Sequence, residues 1–194
     1  IYDTLIRKHP HKTLGECCLD VFTASRSKRV YTESQFGCPY FSNADMLSVD
    51  PFMSCNYISK KYCYEEKALL KKNMILTGRV GAIGQISYVP KYWENFEAMA
   101  SDNVYRICIK DEMYSGYIYA FLASKIGTLS FWKLATGGVQ PYVTDSLIKT
   151  IPIPIFTQKI MEKVDVLMEE CNSLRESAHV KKNQAITTLE KYLT

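Results

Sequence analysis

Leu76-Thr-Gly-Arg-Val-Gly-Ala-Ile-Gly-Gln-Ile-Ser-Tyr-Val89 is the stretch whose reading decides the fold. The apolar run Asn73-Met-Ile-Leu-Thr77 reads as a buried strand, and glycines 78, 81 and 84 mark a turn after it. A glycine-spaced strand-turn-strand is common, so the run gains specificity only from the segments that come later in the chain. Thr136-Gly-Gly-Val-Gln-Pro-Tyr-Val143, Ile151-Pro-Ile-Pro-Ile155 and a long polar helix from Gln158 complete the ordered set.

The chain has 194 residues, 47% hydrophobic and 23% charged, which suits one globular domain with an appendage. Net charge is +4, unevenly placed: residues 1–92 carry 13 Lys/Arg against 8 Asp/Glu, whereas residues 93–194 are close to neutral. A basic amino-terminal lobe fits a polyanion-binding face. Fourteen tyrosines suit half-buried strand positions and also surfaces that stack on bases. Seven cysteines without paired CxxC spacing, and no signal peptide, point to reduced thiols in a cytoplasmic protein. No apolar run reaches the roughly 20 residues of a membrane span. The first residue is Ile1 rather than methionine, which reads as a piece of something longer.

Along the chain, residues 1–12 read as a basic lead-in or linker and Leu14 to Phe22 as a short helix or strand. Phe36-Gly-Cys-Pro-Tyr-Phe41 reads as a turn entering a strand, and Glu65 to Lys72 has helical composition. Val104-Tyr-Arg-Ile-Cys-Ile109 alternates with period two and is a strand. Ser115 to Lys125 is an apolar helix that Gly127 is placed to end. Pro152 and Pro154 close the globular part with an extended segment, so the expected division is residues 1–156 and 157–194.

Gln158 to Leu193 contains neither glycine nor proline. Ile160, Val164, Leu167, Cys171, Leu174 and Ala178 alternate steps of four and three, the seam of a coiled coil. After a polar interruption the apolar positions resume at Ile186, Leu189 and Leu193, as a stutter produces. The helix is about 54 Å long at 1.5 Å per residue. Only its first turns are expected to reach the domain, leaving the stripe for a partner helix.

Catalytic patterns fall short. Asp50-Pro51-Phe52 lacks the second proline of the adenine-N6 methyltransferase loop, and no glycine-rich cofactor loop precedes it. Asp50 with Glu65-Glu66-Lys67 can be arranged as a nuclease metal site, but Glu-x-Lys on a charged helix is usually a solvated face. Gly78 to Gly84 matches neither phosphate-binding glycine pattern, and His9 and His11 have no acidic cluster beside them. No catalytic residue, metal or cofactor is expected.

Recognition remains. Arg26, Ser27, Lys28 and Arg29 form a polar loop whose cations can meet phosphates without desolvating a core, or contact guanine. Lys60 and Lys61 are further basic candidates, and Arg79 projects from the glycine turn. Thr136, Gly137 and Gln140 offer a flexible loop with free amides and a glutamine suited to adenine.

The ordered set resembles one target-recognition half of the DNA specificity (S) subunit of a type I restriction-modification system. The likeness runs over roughly Leu14 to Leu193. It rests on Thr77 to Gly84, on Tyr117-Ile-Tyr-Ala-Phe-Leu-Ala-Ser124, on Gly137-Gly138-Val139-Gln140, and on the Ile-Pro-Ile-Pro closing run before Gln158. Lys28-Arg29-Val30-Tyr31 and Gly37-Cys-Pro-Tyr40 also look like the family. Gly78 is a departure, standing where a serine or arginine is often seen.

The resemblance implies a non-catalytic α/β (α+β) recognition domain on double-stranded DNA, serving an adenine-N6 methyltransferase subunit and a restriction/translocase subunit. It also implies an antiparallel coiled coil through the last helix. A full subunit has two such halves and this chain one, so it reads as a half-subunit that dimerises or as one half of a larger protein, with a homodimer expected for the isolated chain. The alternative is the carboxy-terminal recognition part of a single-chain adenine-N6 methyltransferase/restriction enzyme.

Overall fold

The computed structural model describes residues 8–193. Among these, ten strands form three sheets. The central sheet is antiparallel throughout, ordered β2 (Cys18–Phe22), β9 (Val104–Ile109), β6 (Ile75–Gly78) and β7 (Ile86–Tyr88). The second is ordered β3 (Tyr31–Thr32), β5 (Asn56–Ser59), β4 (Gly37–Phe41) and β8 (Met99–Ala100), with β4 and β8 parallel. A small ladder joins β1 (His11–Thr13) to β10 (Pro152–Pro154), an edge where prolines are tolerated.

Successive strand residues point to opposite faces, and in the central sheet both faces are covered. Ile75 and Ile107 pack with Tyr117, Ile118 and Leu122 of helix α4 (Ser115–Ala123) and with Phe131 of α5 (Lys125–Leu134). Leu76 and Val104 face the other way, onto Phe41, Trp93 and Ala100. A third cluster around Cys38, Ile58 and Leu69 lies at the second sheet. The remaining helices are α1 (Leu14–Cys17), α2 (Lys60–Cys63), α3 (Lys91–Asn95), α6 (Asp145–Ile148) and the 36-residue α7 (Gln158–Leu193).

Leu14 to Phe22 holds both elements its sequence suggests, α1 followed directly by β2. Thr13 and Glu16 close a reciprocal capping box at the start of α1. In the decisive turn Gly81 and Gly84 adopt φ +78° and +72°, where a Cβ is strained, and Ile83 between them is buried. At Gly78 a Cβ would lie 2.7 Å from that of Ala82, which explains why no larger residue stands there.

Three expectations need correction. Glu65 to Lys72 is not a helix beyond a 3-10 turn at Glu66–Ala68. Ala68, Leu69 and Leu70 are all buried, and Leu70 N–H donates to Ala98 O at 2.8 Å, so the segment runs extended beside β8. Gly127 does not stop the apolar helix: α4 ends at Ala123, and Ser124 caps a new helix by accepting from Gly127 N–H at 3.2 Å. A Cβ at Gly127 would meet Phe121 O at 2.3 Å, so glycine permits the tight junction. The lead-in is not merely a linker, since His11 to Thr13 pairs in β1; residues 1–7 of it lie outside the described part.

The fourth correction concerns α7. Its contacts with the domain extend far past its first turns, to His179 and Lys182. Met161, Val164 and Met168 pack on the core, and Asn172 and His179 are buried. These positions repeat every three to four residues and form one face. Gly116 of α4 allows this approach, because a Cβ there would sit 2.9 Å from Met168 Cβ.

Candidate nucleic-acid interface

A groove of about 640 Å³ lies where four separate segments meet. The loop between β2 and β3 supplies Arg26 and Arg29, the end of β6 supplies Arg79, the β8–β9 turn supplies Asp102 and Asn103, and the loop after α5 supplies Gln140 and Tyr142. Three guanidinium groups thus face one carboxylate, which favours an anionic occupant.

Each segment is held by local bonds. The arginine loop lacks regular structure, but Ser25 N–H donates to Glu65 Oε1 at 2.8 Å and Val30 N–H to Cys63 Sγ at 3.2 Å. Cys63 Sγ in turn lies 3.4 Å from Lys28 O. Arg79 is clamped through its backbone, donating to Asn103 O at 2.8 Å and accepting from Val143 N–H at 3.3 Å. The loop after α5 is a finger, closed at its base by the reciprocal Thr136–Tyr142 pair at 2.9 and 2.8 Å. Gly137 at its start has φ +94°, and Val139 at its tip is fully exposed.

Arg29 is the most constrained of the cations. Its Nη2 donates to Asp102 Oδ1 at 2.7 Å, and its guanidinium carbon stands 5.4 Å from the Tyr40 ring centroid. Arg26 and Arg79 make no ion pair among the described residues.

Of the residues singled out from sequence, the fold brings Arg26, Arg29, Arg79 and Gln140 together in the groove. Ser27 and Lys28 are exposed on the same loop without lining it, and Thr136 and Gly137 form the base of the finger. Lys60 and Lys61 lie elsewhere, Lys60 paired with Glu97 and Lys61 5.2 Å from the Tyr62 ring. Sequence reasoning missed Asp102, Asn103 and Tyr40. Asp102 is 73 residues from Arg29, with no motif to connect them. Tyr88, Tyr92, Tyr105 and Tyr117 are core residues, and burial pushes the Tyr117 hydroxyl up to about 12.

Beneath the groove, fully buried Arg106 on β9 donates to the carbonyls of Ser101, Val104, Ala68 and Ala100. Burial lowers its pKa to about 10. This side chain joins the turn bearing Asp102 to the second sheet without using a carboxylate.

Outside the groove, Asp50 receives hydrogen bonds from His179 Nδ1 at 3.1 Å and from Lys182. Asn183 Nδ2 lies 3.0 Å from His179 Nε2, which fits the Nδ1–H tautomer with the amide donating. Phe52, Tyr92 and Phe96 surround the imidazole. Asp50-Pro51-Phe52 is therefore an anchor for α7. Of the seam residues, Val164 packs on the domain, whereas Ile160, Leu167, Cys171, Leu174, Ile186, Leu189 and Leu193 are exposed. Among the described residues no helix is long and apolar enough to cross a membrane.

The mixed α/β architecture with its long carboxy-terminal helix is the fold of part of a type I restriction-modification S subunit. The HsdS subunit from Thermoanaerobacter tengcongensis matches 94% of this chain and 45% of its own length, with a TM-score of 0.60 at 14% identity. The S subunit from M. genitalium matches 90% of this chain and 42% of its own, at 0.59 and 16%. The type IIG restriction endonuclease BpuSI matches 87% and 28%, at 0.62 and 8%. The chain thus spans less than half the length of each. No family model and no curated protein matches the sequence.

Proposed function

We propose that this chain is a non-catalytic DNA-recognition module of the type I specificity-subunit kind. The observation that carries the reading is the convergence of Arg26, Arg29, Arg79 and Gln140 from three sequence segments into one groove on this fold. Guanidinium groups bind phosphate oxygens and guanine edges, and glutamine matches adenine N6 and N7. The module serves an adenine-N6 methyltransferase subunit and a restriction/translocase subunit, in the cytoplasm, with residues 1–156 reading DNA and residues 157–194 acting as spacer. The exposed apolar stripe of α7 supports antiparallel pairing with a second copy, which would place two grooves on an interrupted two-fold site.

Selection from randomised duplexes, followed by sequencing of bound DNA, tests this reading. A short enriched motif of about three to five base pairs is expected, since each bidentate base contact discriminates by ~1–3 kcal/mol. No enrichment, alone or with the methyltransferase subunit, sinks it. The likeness to BpuSI favours a second reading, the recognition part of a single-chain enzyme. An upstream cofactor loop and Asn/Asp-Pro-Pro-aromatic motif in the parent reading frame would establish that version, and a separate methyltransferase gene would exclude it.

A further inference from the structure

Arg29 and Asp102 form a unit that differs in kind from the other cations of the groove. Their 2.7 Å hydrogen bond uses Nη2 of the arginine and Oδ1 of the aspartate. The Tyr40 ring supports the guanidinium from one side. Among the described residues, Arg26 and Arg79 have no carboxylate partner.

From this contrast, and resting on the DNA-reading role proposed above, we infer that Arg29 and Asp102 together read one G·C base pair, while Arg26 and Arg79 hold the phosphate backbone. A phosphate approaching Arg29 meets the Asp102 carboxylate, whose like charge opposes it. A base edge carries no net charge and escapes that repulsion. In the major groove a G·C pair presents, in order, guanine N7 and O6 as acceptors and cytosine N4 as donor. A fork of two arginine N–H groups requires the two adjacent acceptors, and a carboxylate oxygen next to it requires the donor. An A·T pair presents acceptor, donor, acceptor, and satisfies neither partner fully. The pre-formed bond and the ring contact also fix the side chain, so little rotamer freedom is lost on binding.

Selection from a randomised duplex pool and a salt titration of affinity, both on the full chain, separate the two roles. Asp102→Asn and Arg29→Lys should each relax preference at one G·C position by roughly tenfold, within the range of a single bidentate contact, and leave the other positions of the motif intact. Arg79→Ala should keep the motif and reduce the slope of log affinity against log salt by about one. Circular dichroism of each variant checks the fold, and Asp102→Asn retains the volume of the native side chain. An Arg29→Lys motif unchanged from the parent overturns the inference alone, as does an Arg29→Ala variant that loses one unit of salt slope with its motif intact. A parent chain that selects no sequence overturns the recognition role and this assignment together.

Discussion

The Asp165 carboxylate of α7 accepts a hydrogen bond at 2.7 Å from the Gly116 backbone N–H at the start of α4. Tyr114, the residue at the N-cap of α4, offers no side-chain cap, so the first turn of that helix is satisfied from another helix. Tyr88 OH extends the junction, 2.7 Å from Ser115 Oγ and 3.3 Å from Glu169 Oε1. Lys72 pairs with the same glutamate at 2.9 Å. These bonds fix the long helix against the body that carries the groove.

Asp165→Ala should therefore cost about 1–2 kcal/mol, the usual loss when an N-terminal helix donor is left without its acceptor. Urea denaturation followed by circular dichroism measures it. An unchanged midpoint would show that solvent replaces the carboxylate at no loss.

Asp50 makes the distal half of α7 sensitive to acid. Burial alone would raise its pKa, but the hydrogen bonds from Lys182 and His179 outweigh this and hold it below the ordinary value. A depressed carboxylate contributes stability above its unfolded pKa, and that contribution is lost as pH falls through the lower folded value. Hydrogen exchange at residues 176–186 should stay slow near neutrality and quicken, after correction for intrinsic rates, below about pH 4. Asp50→Asn should abolish that acid step and show faster exchange at neutral pH.

Arg106→Leu should destabilise the chain by roughly 3 kcal/mol or more, because four carbonyls lose a charged donor in a buried place. Arg106→Lys should recover only part of this, since an ammonium lacks the planar fork. Thermal melts of both variants check the order, and equal melting temperatures for the two would contradict it.

Pairing through α7 predicts a homodimer at tens of micromolar, with Leu167→Glu plus Leu174→Glu shifting it to monomer. Each leucine moved out of water contributes about 1.5–3 kcal/mol, and neither touches the chain's own core. Light scattering with the double variant decides. A monomeric parent chain would mean that the stripe is covered by a different helix.

Local chemistry made much of this protein legible in its sequence. Period-two alternation located β9, the glycine spacing located the turn after β6, and the absence of breakers located α7 from Gln158 to Leu193. Those signals are local, because strand alternation, positive φ and helix continuation depend on residues within a few positions of one another. Tertiary structure decided the rest. Three consecutive buried residues at Ala68 to Leu70 overrode helical composition, since extended backbone beside β8 buries all three where one helix face would not. The domain-facing side of α7 includes polar Asp165, Asn172 and His179, which hydropathy assigns to solvent; partners on α4 or in the Asp50 loop hold Asp165 and His179 there. The pairing of Arg29 with Asp102 across 73 residues was set the same way, by chain folding that no local pattern encodes. Sequence therefore offered Arg26, Arg29 and Arg79 as candidates, and only the fold brought them to one groove and set a carboxylate beside Arg29.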